Sequence, residues 1–289
     1  MGWQITRRTF LHASMGAVPL RLFWAASAFR FGVVTDIHFA DRPPNNTRYY
    51  RLAPSKLRAC VDLMNAEKVE FLIELGDFKD EAAPPTEEST LSFLRTIEGV
   101  FAGFRGPRYH VLGNHDMDSI TKEQFQSLVV NTGIDPARTW YSFERGGVRF
   151  VVLDANFRKD VTPYSRGDFD WRDTNISPAQ LEWLDRELRS AARPVVVFSH
   201  QRLDEGTEPG IGNRLAVRKL LQDSAKVALV MHGHVHEGDF QRIEGIPYYT
   251  LIASVELDDP NDATCAIVSM QPGGSIEITG YRRAKSQSA

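Results

Sequence analysis

The chain alternates short apolar runs that end in polar clusters with longer stretches whose apolar positions recur at helical spacing. Five runs share one design: Phe29-Arg-Phe-Gly-Val-Val-Thr-Asp36, Val69-Glu-Phe-Leu-Ile-Glu-Leu-Gly-Asp77, Arg108-Tyr-His-Val-Leu-Gly-Asn114, Pro194-Val-Val-Val-Phe-Ser-His200 and Lys226-Val-Ala-Leu-Val-Met-His232. Apolar, β-branched segments bounded by polar residues read as strands buried on both faces. Between them, 52–65, 86–101, 177–191 and 213–221 carry helical patterns. The third has Ser177 as N-cap, Pro178 at the first helical position and Gln180 completing a capping box. Strand–helix–strand units predict a largely parallel sheet. Further strands are predicted at 141–143, 148–154, 247–253, 263–270 and 275–281, with hairpin turns at Arg145-Gly146-Gly147 and Pro272-Gly273-Gly274, and these would form a second sheet.

In open α/β sheets ligands collect beyond the carboxyl ends of the strands, so the polar ends of the five runs should converge. They carry Asp36 and His38, Asp77, Asn114 with His115 and Asp116, His200, and then His234 and His236. Carboxylate, imidazole and amide donors in one place are what two neighbouring metal ions need, with one carboxylate to bridge them. Taken singly, Gly76-Asp77 reads as a turn with an Asp cap. Five such fragments at five strand ends do not read as coincidence.

In this order, Asp36-Ile-His38, Gly76-Asp77, Gly113-Asn114-His115-Asp116, His200 and Gly233-His234-Val235-His236 resemble the calcineurin-like metallophosphoesterase superfamily. The resemblance covers nearly everything after the first 28 residues. It implies an α/β fold, a four-layer αββα sandwich of mixed sheets with helices on the outer faces, holding a dinuclear centre of Mn, Fe or Zn. It further implies that Asp36, His38 and His236 hold the first metal, Asn114, His200 and His234 the second, and that Asp77 bridges. His232 is no ligand in that pattern and is expected to pack or hydrogen-bond beneath the site.

Such a centre suits an anionic substrate. Two cations neutralise phosphate oxygens and lower the pKa of a shared water, so that a metal-bound hydroxide is available for in-line attack at phosphorus. His115 would then act as general acid for the leaving oxygen, with Asp116 either orienting its ring or merely ending a loop. The expected substrate is a small phosphoester or nucleotide carrying a diester or pyrophosphate bond. A phosphomonoester is the alternative, and a non-catalytic metal- or phosphate-binding module a third reading, against which His115 argues. Asn45-Asn46-Thr47-Arg48-Tyr49-Tyr50-Arg51, 177–188 and Glu237-Gly-Asp239 resemble the manganese-dependent ADP-ribose/CDP-alcohol pyrophosphatase branch. His38 departs from that branch, where Gln is expected. Arg48 either grips a distal phosphate or sits in a surface ion pair.

At 289 residues, 42% hydrophobic and 25% charged, the chain has the composition of an ordinary globular domain. Its 34 basic residues against 37 acidic ones leave no nucleic-acid footprint. Cys60 and Cys265 permit one bridge at most, and two separately buried thiols are the expectation. Thr6-Arg7-Arg8-Thr9-Phe10-Leu11, the apolar stretch that follows and Ala26-Ser27-Ala28 predict a twin-arginine signal segment over 1–28, served by the bacterial twin-arginine export machinery, with a periplasmic or secreted product. Arg21 interrupts the apolar stretch, which is also too short to span a bilayer comfortably, so no stable span is expected in the mature form. Loss of 1–28 removes Arg7, Arg8 and Arg21 and moves the formal charge from −3 to −6. The phosphoesterase domain is expected over 29–283, followed by a polar tail, 284–289.

Overall fold

The structure is a computed structural model that describes residues 28–204 and 210–289, so the twin-arginine motif lies outside the described residues. The elements run β1 (Phe29–Val34), α1 (Ala53–Glu67), β2 (Leu72–Glu74), α2 (Glu87–Phe101), β3 (Arg108–His110), α3 (Lys122–Gln126), β4 (Tyr141–Arg145), β5 (Val148–Val152), α4 (Pro178–Ser190), β6 (Val195–Phe198), α5 (Arg214–Ser224), β7 (Val227–His232), β8 (Asp239–Ile243), β9 (Ile246–Thr250), β10 (Cys265–Met270), β11 (Ile276–Tyr281) and β12 (Gln287–Ser288). They build two six-stranded sheets, β12-β11-β10-β1-β2-β3 and β4-β5-β6-β7-β9-β8.

Period-two alternation makes the layers. In β1, Phe29, Phe31 and Val33 point between the sheets, where they meet Phe150, Val152, Phe198, Leu229 and Met231 of the second sheet. Val34, Leu72 and Ile267 point the other way, onto Leu57, Val61 and Met64 of α1 and Leu94, Ile97 and Phe101 of α2. On the far side, Val151, Val195, Val197 and Val230 pack under Leu184 and Leu188 of α4 and Val217 and Leu221 of α5. The result is helices, sheet, sheet, helices. At the centre Phe31 stacks on Phe71 at 4.9 Å and meets Phe150 edge-on at 5.3 Å. Truncating Phe150 to Ala would cost roughly 3–5 kcal/mol through lost burial and a cavity.

Four expectations need correction. The five motif-bearing strands do not share one sheet: β1, β2 and β3 are parallel in the first, β6 and β7 parallel in the second, and the later strands complete both. βαβ periodicity sets local order but is blind to which of two sheets a strand joins. Gln180 does not close a capping box; Ser177 accepts from its N–H, but its side-chain amide clasps the backbone N–H and C=O of Asp154, both at 2.8 Å. The capping box lies instead at Thr121 and Gln124, opening α3. Nor is 284–289 a free tail: β12 pairs with β11, and Ala284 is buried. Cys60 and Cys265 are reduced and buried, yet adjacent rather than separate, and the neighbouring Cys265 thiol, together with burial, pushes the Cys60 thiol well up. Among the described residues no helix is long and apolar enough to cross a membrane.

Candidate metal centre

The carboxyl ends of β1, β2 and β3 from one sheet and of β6 and β7 from the other meet at a single cleft, which gathers residues 36–38, 77, 114–116, 200 and 234–236. The backbone turns sharply there. Asp36, His38, Asp77 and His234 all adopt left-handed conformations, with φ of 50°, 47°, 57° and 68°. Each such non-glycine residue is strained by on the order of 1 kcal/mol, which the surrounding packing must offset. Two glycines permit the close approach. A Cβ on Gly113 would lie 2.1 Å from the Asp77 backbone nitrogen, and one on Gly233 would lie 2.1 Å from Thr35 Oγ1.

The expected donors come together in two groups. One ligand atom each from Asp36, His38 and His236 lie within 4.8 Å of one another, as do those of Asp77, His200 and His234. Asp77 stands between them: its Oδ2 is 3.1 Å from His200 Nε2 and 3.5 Å from His38 Nε2. Asn114 lines the cleft beside it. Three buried atoms here, Asp36 Oδ1, His38 Nε2 and Asn114 Oδ1, have no hydrogen-bond partner. Burying such groups unpaired is costly, and a cation is what would satisfy them.

The imidazoles are set to ligate. His38 Nδ1 faces Asp80 Oδ2 at 3.2 Å, His200 Nδ1 the carbonyl of Leu75 at 2.8 Å, and His236 Nδ1 faces Glu256 Oε1 at 2.5 Å. Each acceptor holds the proton on Nδ1 and leaves the Nε2 lone pair aimed at the cleft. His234 is reversed, its Nδ1 lying 3.2 Å from His200 Nε2. The charges are mutually enforced. Burial opposes ionisation of Asp77, but His200, His115 and His38 outweigh it and hold the carboxyl well below its usual range. Burial also opposes a charge on His200, which Asp77 and Asp36 nonetheless raise to about 9, so a cation at Nε2 would displace a proton there. Burial and the neighbouring His200 push His234 down to about 3, keeping it the neutral, ligating form. The residues present therefore fit two cations.

His115 opens onto the cleft, its ring edge-on to His38 at 4.9 Å. Its Nδ1 partner is Asp118 Oδ2 at 2.7 Å, not Asp116. The short 3₁₀ turn His115–Met117 puts residues three apart on one face, whereas the next residue points away. Asp116 is wholly buried and accepts from the backbone N–H groups of Gly113 (2.8 Å), Phe78 (3.0 Å) and Asp77 (3.1 Å), tying together the loops that carry Asp77 and Asn114. His232 is buried off the cleft and accepts at Nε2 from the Leu203 N–H at 3.1 Å, as expected of a non-ligand. Arg48 lines the cleft and has no ion-pair partner among the described residues; its backbone pairs with Glu256. Sequence reasoning missed Asp80, Asp118 and Glu256, the carboxylates that hold His38, His115 and His236. Asp80 and Asp118 each lie three residues beyond a motif residue, a spacing that hints at a shared face, while Glu256 had no such signal.

An αββα sandwich with two donor groups sharing a buried carboxylate defines a dimetal phosphoesterase. Residues 29–238 match the calcineurin-like phosphoesterase family, and the chain belongs to it. It is an enzyme, a metal-dependent hydrolase of phosphoric ester or anhydride bonds. It is 26% identical to a manganese-dependent ADP-ribose/CDP-alcohol diphosphatase from Oryza sativa over 79% of this chain and 84% of that protein. It is 29% identical to a serine/threonine-protein phosphatase from Mus musculus over 61% of this chain and 57% of that one. Among solved structures, a dimetal phosphatase from Danio rerio superposes with a TM-score of 0.77 at 20% identity, covering 91% of this chain and 98% of that one.

Proposed function

We propose that this enzyme hydrolyses the diphosphate bond of nucleoside diphosphate derivatives, with manganese in both positions and His115 as general acid. The observation that carries the reading is its likeness to diphosphatases of ADP-ribose and CDP-alcohols along most of both chains, joined to the paired donor groups of the cleft. Asp36, His38 and His236 would hold one ion and Asn114, His200 and His234 the other, with Asp77 between. Bound there, the metals supply positive charge for phosphate oxygens and acidify water. The chain's own residues do the rest. Arg48 offers a forked donor to a phosphate oxygen. Asp118 fixes the Nδ1 proton of His115, which leaves Nε2 to hand a proton to the departing oxygen. A cavity of about 750 Å³ over the donors accommodates a nucleotide.

The likeness to a protein phosphatase favours a second reading, a phosphomonoesterase using the same centre. Hydrolysis by the manganese-loaded protein of ADP-ribose, CDP-choline, cyclic nucleotides, aryl diesters and aryl monoesters separates the two. Preference for the first pair is expected, and turnover confined to monoesters would replace the reading. We further propose export by the twin-arginine route, supported by Arg7-Arg8 and the apolar stretch after them. Changing both arginines to lysine should retain the protein inside the cell, and unchanged export would refute the assignment.

A further inference from the structure

The cleft has one feature that phosphate chemistry does not use. Its outer walls are mostly polar, formed by Asn45, Asn46, Thr47, Arg48, Glu237 and Glu256, and the one large apolar surface among its described lining residues is the indole of Trp171, Val235 being the other apolar residue there. That side chain is 40% exposed, and its ring stands 5.7 Å from the ring of the candidate ligand His234 at an interplanar angle of 62°. Of the few large apolar side chains left exposed among the described residues, only Trp171 lines this cleft. An exposed aromatic beside a polar, substrate-sized cleft is therefore a contact in waiting.

The turn that carries the indole is also tied down, and the Arg172 guanidinium stands 5.8 Å from the ring centre. The segment from Phe157 to Ile176 contains no regular helix or strand, yet it is fastened at several points. Tyr164 stacks on Phe169 at 4.2 Å and shares its hydroxyl proton between the carbonyls of Asp170 (3.0 Å) and Asp173 (2.9 Å), the residues flanking the indole. The Asp170 carboxylate accepts from Arg172 N and Nε at 3.0 and 2.9 Å, which closes a tight turn around Trp171. The Gly167 N–H donates to the Met117 carbonyl at 2.9 Å and the Arg166 N–H to that of Ile120 at 3.1 Å. Those acceptors belong to the stretch that begins with His115, so the turn that carries the indole is fixed in relation to the general acid. A rigid aromatic surface loses little freedom when a planar ligand settles on it.

From these observations we infer that Trp171 is the nucleobase platform of the cleft: the base of the substrate stacks on the indole beside His234. The inference deepens the diphosphatase reading and rests on it. Stacking is indifferent to which base is presented, because every base has a π-face. This agrees with the adenine and cytosine nucleotides named for the similar enzymes. The cleft offers no second aromatic carbocycle among its described lining residues, so removal of this one should abolish the preference for a base outright.

Calorimetric titration of the manganese-loaded protein with AMP, CMP and ribose 5-phosphate tests this without requiring turnover. The wild-type protein should bind both nucleotides roughly 5- to 100-fold more tightly than ribose 5-phosphate. Trp171→Ala should weaken AMP and CMP to the level of ribose 5-phosphate, leave the affinity for ribose 5-phosphate and the metal content unchanged, and Trp171→Phe should keep most of the preference. With ADP-ribose as substrate the alanine variant should raise KM with little change in kcat. Equal binding of AMP and ribose 5-phosphate by the wild-type protein overturns the inference, as does a base preference that survives in Trp171→Ala. Equal weakening of all three ligands would make the indole a wall of the cleft and overturn it too. Failure of the wild-type protein to cleave ADP-ribose, by contrast, removes the diphosphatase reading while the binding comparison still decides the platform.

Discussion

His115 and Asp118 show how much a single contact decides. The ring is cleft-facing and is bound at Nδ1 by the Asp118 carboxylate at 2.7 Å; it also stands within ligand distance of His38 and Asp77, so metal content decides between a proton donor and a further ligand. If it protonates the leaving oxygen, His115→Ala should retain two manganese ions by elemental analysis and lose roughly 10²–10⁴-fold in rate per dimetal site. The loss should be steepest for alkoxide leaving groups and shallow for nitrophenolate, which is stable as an anion. Asp118→Asn should follow the same dependence with a smaller loss. A loss that is uniform across leaving groups would mean that His115 positions phosphate and transfers no proton. Asp77→Asn is the contrasting variant, since it removes the charge between the donor groups and should lower metal content itself.

At the scale of elements, the centre depends on a loop that no motif marked. Residues 253–257 are threaded against the first motif: the Ser254 N–H donates to the Thr35 carbonyl at 3.1 Å and the Val255 N–H to that of Asp36 at 3.0 Å. From α1, the buried Lys56 ammonium reaches the carbonyls of Ser254, Val255, Glu256 and Leu257 at 3.2, 3.3, 2.5 and 2.8 Å. That clamp presents Glu256 to His236. Burial pushes the lysine down to about 8, and the ring of carbonyls is what makes a cation tolerable there. Lys56→Met keeps the stem's packing and frees the carbonyls. Manganese affinity, measured by chelator competition, should fall roughly 10- to 100-fold through misplacement of Glu256. Unchanged affinity would show that the backbone threading alone suffices.

Across the whole molecule, a buried ionic line runs beneath the cleft through the first sheet. Glu74 accepts from the Gly76 N–H at 2.7 Å, its other oxygen lies 3.6 Å from His110 Nδ1, and His110 Nε2 is 3.1 Å from Glu98 of α2. Burial lowers the pKa of His110, but Glu98 and Glu74 outweigh it and lift it from 6.5 to about 9. Burial raises that of Glu74 from 4.5 to about 8, against the pull of His110. Both groups bind their proton more tightly in the folded state. The His110 contribution is full below about pH 6.5 and fades as pH climbs through about 9; Glu74 prefers its protonated form, so its contribution fades between about 4.5 and 8. Folding stability, followed as the urea midpoint of the metal-loaded enzyme, should decline across this window, most steeply between pH 6.5 and 8 where both contributions fade together. Glu74→Gln mimics the neutral carboxyl and should flatten the decline. A profile that rises with pH in this window would contradict the assignment.

Strand identity, helix positions and the donors themselves were legible in the order of residues. Period-two burial makes β1 an alternation of Phe29, Phe31 and Val33, and the polar ends of the runs carry the metal-seeking groups. These are local properties, set by side-chain chemistry and backbone periodicity over fewer than about ten residues. The assignment of β1, β2 and β3 to one sheet and of β6 and β7 to the other was settled only in three dimensions, because nonlocal packing alone distinguishes two sheets with the same βαβ rhythm. The same holds for the left-handed backbone of Asp36, His38, Asp77 and His234, whose strain local preference opposes and tertiary contacts impose. It holds too for the partners of the imidazoles. Asp118 replaces Asp116 beside His115 because a 3₁₀ turn, not adjacency, decides which side chains share a face. Glu256 reaches His236, and Trp171 reaches the cleft, because loops distant in sequence are fastened to the motif turns by hydrogen bonds that leave no periodic trace in the chain.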